Sequence, residues 1–136
     1  MRMEPIKSFE DLDVWKVGRE IRRDLYRVAA QLPKHEQYCL GQQVRTAAIS
    51  LTANIAEGYG RFHFKENVQF CRIARGSAYE LLDHVIACHD QGYVDEKEHR
   101  KIREKLVRFI QLVNGYIRSI GQSGIKKTAR SVTNDD

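Results

Sequence analysis

The sequence predicts an all-α protein, an antiparallel up-down-up-down four-helix bundle, and three observations carry that prediction. Apolar residues recur at spacings of three and four in four successive stretches, the period of a helix with one buried face. The 136 residues hold two prolines, Pro5 and Pro33, both near the start, which leaves room for long helices and argues against a turn-rich sandwich or barrel. The connections between the stretches are short, so sequential helices are expected as antiparallel neighbours.

The first stretch, Asp11 to Leu32, places Val14, Val17, Ile21, Leu25, Val28 and Leu32 on one stripe. Pro33 ends it, because the residue before a proline is pushed out of the helical region. The second runs from about Glu36 to Glu57 with Leu40, Val44, Ala47, Leu51 and Ile55 on one face, and Gly58 and Gly60 are expected to stop it and form a tight turn. The third, about His63 to Gln91, uses Phe70, Ala74, Ala78, Leu81, Val85 and Cys88, with Gly92 as its stop. The fourth begins at Asp95, where Glu96 and Glu98 suit the positive end of a helix dipole. Its stripe is Ile102, Leu106, Phe109, Val113, Ile117 and Ile120, and Gly121 is expected to close it. The predicted organisation is an N-terminal extension (1–10), the bundle (11–121) and a disordered tail (122–136) that lacks periodicity.

Charged residues make up 30% of the chain and hydrophobic ones 42%, which excludes a membrane-spanning protein and a wholly disordered one. No window approaches ~18 uninterrupted apolar residues, and the N-terminus carries no secretory signal pattern. Cys39, Cys71 and Cys88 form no C-x-x-C pair and read as free thiols in a reducing compartment. A soluble cytoplasmic protein is the expectation.

The second helix has an unusual charge distribution. Between Gln37 and Ala56 its one charged residue is Arg45, so it reads as covered on two sides, by its own bundle and by another subunit. The competing reading is a solvent-facing helix built of neutral polar residues.

Ser50, Asn54 and Glu57 align beside the apolar stripe at i, i+4 and i+7. Gly76, Ser77 and Glu80 lie across the turn on the third helix. A glycine inside a helix costs ~1 kcal/mol relative to alanine, and close approach by the second helix is the simplest reason for Gly76. The pairing is expected to gather Ser50, Asn54, Glu57, Ser77 and Glu80 into one hydrogen-bonded cluster at an end of the bundle. That cluster fixes register, or its two carboxylates serve as an acid/base pair.

The chain has one Glu-x-x-His, Glu96 to His99, where a di-iron bundle needs two. His84 and Cys88 stand at i, i+4 without a second ligand pair. No metal and no cofactor are expected. There is no phosphate loop, nucleophile elbow or dinucleotide fingerprint, and Gly58 to Arg61 reads as a turn. No catalytic residue is assigned.

Basic residues cluster instead. Arg19, Arg22, Arg23 and Arg27 lie on the first helix, and Arg100, Lys101, Arg103, Lys105 and Arg108 on the fourth. First and fourth helices are neighbours in the predicted topology, so the sets are expected to form one cationic face able to neutralise phosphates. Glu20, Asp24, Glu98 and Glu104 are placed to pair with them, which makes a salt-bridged, solvated face the alternative.

Three segments then become recognisable together: FEDLDVWK (Phe9 to Lys16), LPKHEQYCLGQQVRTAAISLTANIAEGYGR (Leu32 to Arg61) and FCRIARGSAYEL (Phe70 to Leu81). Their order and spacing resemble the four-helix-bundle proteins of the 23S rRNA intervening-sequence type. The resemblance spans about Phe9 to Ile120, with NIAEG-x-GR followed by A-x-GS-x-x-EL as its most specific part. It implies a ring-shaped homopentamer and a link to RNA. A further relative, the accessory variability protein of diversity-generating retroelements, works with a reverse transcriptase and nucleic acid. The residues matching the polar signature are Ser50, Asn54, Glu57, Gly58, Arg61, Gly76, Ser77 and Glu80. Gly18 and Cys71 stand where aliphatic or alanine residues are more usual, which is expected to loosen the packing. The functional expectation is a non-enzymatic homo-oligomer binding RNA or DNA through Arg19, Arg22, Arg23, Arg100, Lys101, Arg103, Lys105 and Arg108. Its alternative is a scaffold for an acidic protein partner such as a polymerase or reverse transcriptase.

Overall fold

The structure, a computed structural model, describes the backbone of residues 5–134 and the side chains of residues 5–122. A short 3-10 turn, Phe9–Asp11, leads into α1 (Asp13–Gln31). A second one, Lys34–Glu36, precedes α2 (Leu40–Gly60), then α3 (Phe64–Asp90) and α4 (Glu96–Asn134). The described residues contain no strand. The protein is all-α with four principal helices.

Helix ends follow local chemistry. Ser8 and Asp11 form a reciprocal capping box around the first turn. Leu32 takes an extended conformation before Pro33 and ends α1. The Gln37 amide then donates 2.9 Å hydrogen bonds to the carbonyls of Ala29 and Leu32, satisfying acceptors the helix leaves open. Gly92, at φ 77°, makes the turn between α3 and α4 as expected.

Of the other expected glycine stops, the Gly58–Gly60 pair is met at its second member and Gly121 is not. Helix α2 runs through Gly58 and ends at Gly60, and the positive-φ residue after it is Phe62. Helix α4 passes Gly121 without a positive φ and continues to Asn134. Glycine itself stops a helix where it takes the left-handed conformation; otherwise its propensity cost is ~1 kcal/mol, which neighbouring turns absorb. The tail expected from Gln122 onward lies almost wholly outside the residues whose side chains are described.

The stripes converge on one core. Ile21, Leu25, Val44, Leu51, Ile55, Leu81, Leu106, Phe109 and Val113 are fully buried. Leu40, Phe70 and Ile117 are half-buried at its margin. In each packed pair, numbers ascend on one helix as they descend on the other. Ser50 meets Ser77 while Gly58 meets Asn67, and Gly18 meets Phe109 while Asp24 meets Lys105. That pattern is consistent with the up-down-up-down order. Gly18, expected to loosen packing, does the reverse. A Cβ there would stand 3.0 Å from the Phe109 ring and 3.3 Å from the Thr52 methyl, so its absence admits the largest core side chain.

Candidate functional site

The expected single cationic face divides. Arg22 and Arg23 line a cleft of about 480 Å³ with Tyr26 and Ile49, in the groove between α1 and α2. There the Arg22 guanidinium donates to Thr52 Oγ1 at 2.7 Å. Arg100, Arg103 and Arg108 line a separate cleft of about 420 Å³ along α4, with Glu104, Val107 and Gln111. Between them, Lys105 is held by Asp24 at 2.7 Å, an acceptor that Arg27 shares. Arg19 sits 5.7 Å above the Trp15 ring, and Arg100 pairs with Glu96 at 3.5 Å. Among the described residues, Arg23, Lys101, Arg103 and Arg108 are exposed and make no ion pair. Helical spacing put the two sets on adjacent helices, but Asp24 occupies the seam between them.

The expected polar cluster also divides, into a core and two outliers. Ser50 Oγ and Ser77 Oγ are 2.7 Å apart, and Asn54 Nδ2 donates to Ser50 Oγ at 2.7 Å and to its carbonyl at 2.8 Å. Glu57 instead accepts from Arg61 at 2.7 Å, and Glu66 lies 3.9 Å from the same guanidinium. Glu80 pairs with His84 at 2.9 Å. Glu57 is seven residues toward the α2–α3 turn from Ser50, and Glu80 is three residues away from that turn beyond Ser77. At 1.5 Å per residue the two carboxylates are ~15 Å apart along the bundle. The proposed acid/base pair is therefore not assembled.

The two signature glycines have different settings. A Cβ on Gly58 would lie 2.7 Å from Asn67 Oδ1 and 3.0 Å from Phe70 Cβ, so this glycine allows α2 and α3 to close beside the turn. Gly76, expected to allow such an approach, is exposed with nothing within 4 Å of its Cβ position. No contact among the described residues accounts for a glycine there.

The outer face of α2 is uncharged from Gln42 to Ala53, and one turn further on it carries the exposed Glu57, which Arg61 pairs. Gln42, Thr46, Ile49, Ala53 and Gly60 are exposed along it, Ile49 at 45%. Arg45, the one charge of that stretch, turns along the helix and donates to the Gln37 carbonyl at 2.6 Å. On α3, Ile73 and Tyr79 flank Gly76 with 45% and 58% exposure.

The expected metal candidates change places. Burial pushes the Cys88 thiol up to about 11, with the Glu36 charge adding to it, and His84 is engaged by Glu80, so that pair offers no ligand set. Burial likewise raises the Cys71 thiol to about 11. Glu96 and His99, read from sequence as a lone motif, are joined by His89 from the last turn of α3. Sequence spacing concealed it because the Gly92 turn separates His89 from the motif. A histidine just before a glycine stop, followed within a turn by Glu-x-x-His, was the available signal.

Four helices around one core, with a mostly neutral outer face on α2 and an unpaired basic edge on α4, define a four-helix protein. The chain belongs to the 23S rRNA-intervening sequence protein family, whose model matches residues 10–115. No curated protein matches it. No helix among the described residues is long and apolar enough to cross a membrane.

Proposed function

We propose that this chain is a non-enzymatic, up-down-up-down bundle that assembles as a homo-oligomer and binds RNA or DNA phosphates through the outer edge of α4. The observation that carries the proposal is the exposed, ion-unpaired set Lys101, Arg103 and Arg108 on α4. Cations free of carboxylate partners neutralise phosphates and so release the counterions condensed on the nucleic acid, which is the basis of sequence-independent binding. The stretch of the α2 outer face from Gln42 to Ala53, which carries no charge, supports assembly, since interface cores are depleted of charge. The family resemblance supports a pentamer, and repetition of the basic edge around a ring strengthens weak contacts. Three free cysteines accord with a cytoplasmic site of action.

A second reading has an acidic protein, such as a polymerase or reverse transcriptase, occupying the same cleft. Val107, 38% exposed between Arg103 and Arg108, favours it by offering an apolar anchor. Fluorescence anisotropy with a labelled single-stranded RNA, from about 50 to 200 mM salt, tests the primary reading. Affinity is expected to fall linearly in log–log form, by about 0.7 per phosphate contact. The double variant Arg103→Glu/Arg108→Glu is expected to lower the slope by about 1.5 per protomer engaged. Undetectable binding of both RNA and duplex DNA at the lowest salt would overturn it and leave the protein-partner reading.

A further inference from the structure

We propose that His89, Glu96 and His99 form a binding site for one divalent transition ion, of the Zn2+ class, at the turn joining α3 to α4. One donor atom from each residue lies within 4.8 Å of the other two. His89 Nε2 is already 3.1 Å from Glu96 Oε2. The His89 and His99 rings stack with centroids 4.8 Å apart at an interplanar angle of 25°. Tetrahedral zinc with bonds of about 2.0–2.1 Å sets its ligand atoms ~3.3 Å apart. The His89–Glu96 edge meets that spacing, and the widest separation, 4.8 Å, closes by turning a half-buried imidazole without moving the backbone.

The backbone holds the two helix ends in place for this. Gly92 adopts φ 77°, Gly92 N donates to the His89 carbonyl at 3.0 Å, and Tyr93 N donates to the Cys88 carbonyl at 2.8 Å. Val94 is buried just beyond, and the Asp95 side chain accepts from Glu98 N at 2.8 Å to start α4. Glu96 and His99 then share a face at i, i+3. Arg100 occupies Glu96 Oε1 at 3.5 Å. That leaves Oε2 directed at His89, the arrangement by which outer partners orient a metal-binding carboxylate.

Two imidazoles and a carboxylate are a donor set that zinc accepts with one position left for water. The helix dipoles are balanced here: the first turn of α4 disfavours a cation, whereas the last turn of α3 favours one. Glu96 is 65% and His89 33% exposed at the side chain, so the ion has an open approach. Bound, it links the end of α3 to the start of α4 at the end of the bundle remote from the α2–α3 turn.

The test uses the full chain without an affinity tag, stripped of metal and titrated with ZnCl2 by calorimetry, with CoCl2 as a spectroscopic probe. The expected result is one ion per chain and Co2+ visible bands of four- or five-coordinate strength. His89→Gln and His99→Gln are each expected to weaken Zn2+ at least about tenfold. Wild type should gain roughly 8–15 °C in melting temperature at 100-fold excess over Kd, and both variants should lose that gain. His84→Gln, at a histidine outside the cluster, should leave Zn2+ affinity unchanged. Helicity by circular dichroism distinguishes lost ligation from lost fold. Should His89→Gln destabilise the chain, Glu96→Gln, exposed and nearly isosteric, gives the same readout. Stoichiometry well below one, or equal affinity in wild type and the His89 and His99 variants, would overturn the proposal.

Discussion

Helices α2 and α4 contribute to one core yet turn opposite faces outward. Inward, α2 supplies Val44, Leu51 and Ile55, and α4 supplies Ile102, Leu106, Phe109 and Val113, all nearly inaccessible to water. Outward, α2 shows Gln42, Thr46, Ile49 and Ala53, whereas α4 shows Arg100, Lys101, Arg103 and Arg108. The inner stripe decides that the chain folds as a bundle, and the outer face decides what the bundle can meet. Covering small neutral residues with another protein carries little desolvation penalty. Covering Arg103 and Arg108 without anions costs several kcal/mol per ion. The first face suits a second copy, and the second suits water or phosphate.

The sharpest way to separate inner from outer face is on one helix. Phe109→Ala is expected to lower stability by about 3–5 kcal/mol in urea unfolding, because Gly18 and its neighbours cannot collapse into the cavity. Arg103→Glu, on the opposite side of α4, is expected to stay within about 0.5 kcal/mol of wild type. Similar losses from the two would break the distinction. The glycines extend the contrast with smaller effects. Gly58→Ala forces the new methyl against Phe70 Cβ at 3.0 Å and should destabilise by about 1–3 kcal/mol, despite the helix preference for alanine. Gly76→Ala meets nothing within 4 Å and should stabilise the isolated protomer by roughly 0.5–1 kcal/mol. If Gly76→Ala instead weakens the assembled protein, the glycine is kept for contact between copies.

The helices and their buried stripes were legible because apolar periodicity is written in each segment separately. Leu25, Val44, Leu81 and Leu106 needed only their neighbours three and four residues away. What required the fold was every relation between helices. Asp24 divides the basic residues because Lys105 crosses to it from α4. Glu57 and Glu80 part because register carries them to opposite sides of the Ser50–Ser77 contact. His89 joins Glu96 and His99 because the Gly92 turn folds one helix end onto the next. Gly18 reads as a packing defect until Phe109 is seen to fill it. Glycine stops misled for a related reason. Gly58 serves a neighbouring helix, and Gly121 takes ordinary helical backbone, so composition at a helix end does not reveal which role applies.

The division of outer faces is tested most directly by solution mass, measured by light scattering on wild type and on Ala53→Glu, with circular dichroism showing that both are equally helical. The account predicts a multiple of the 15.8 kDa protomer for wild type, five copies by the family resemblance, and a single 15.8 kDa protomer for the variant. A wild-type mass of one protomer, or an unchanged oligomer with an unpaired glutamate at position 53 of α2, would contradict it.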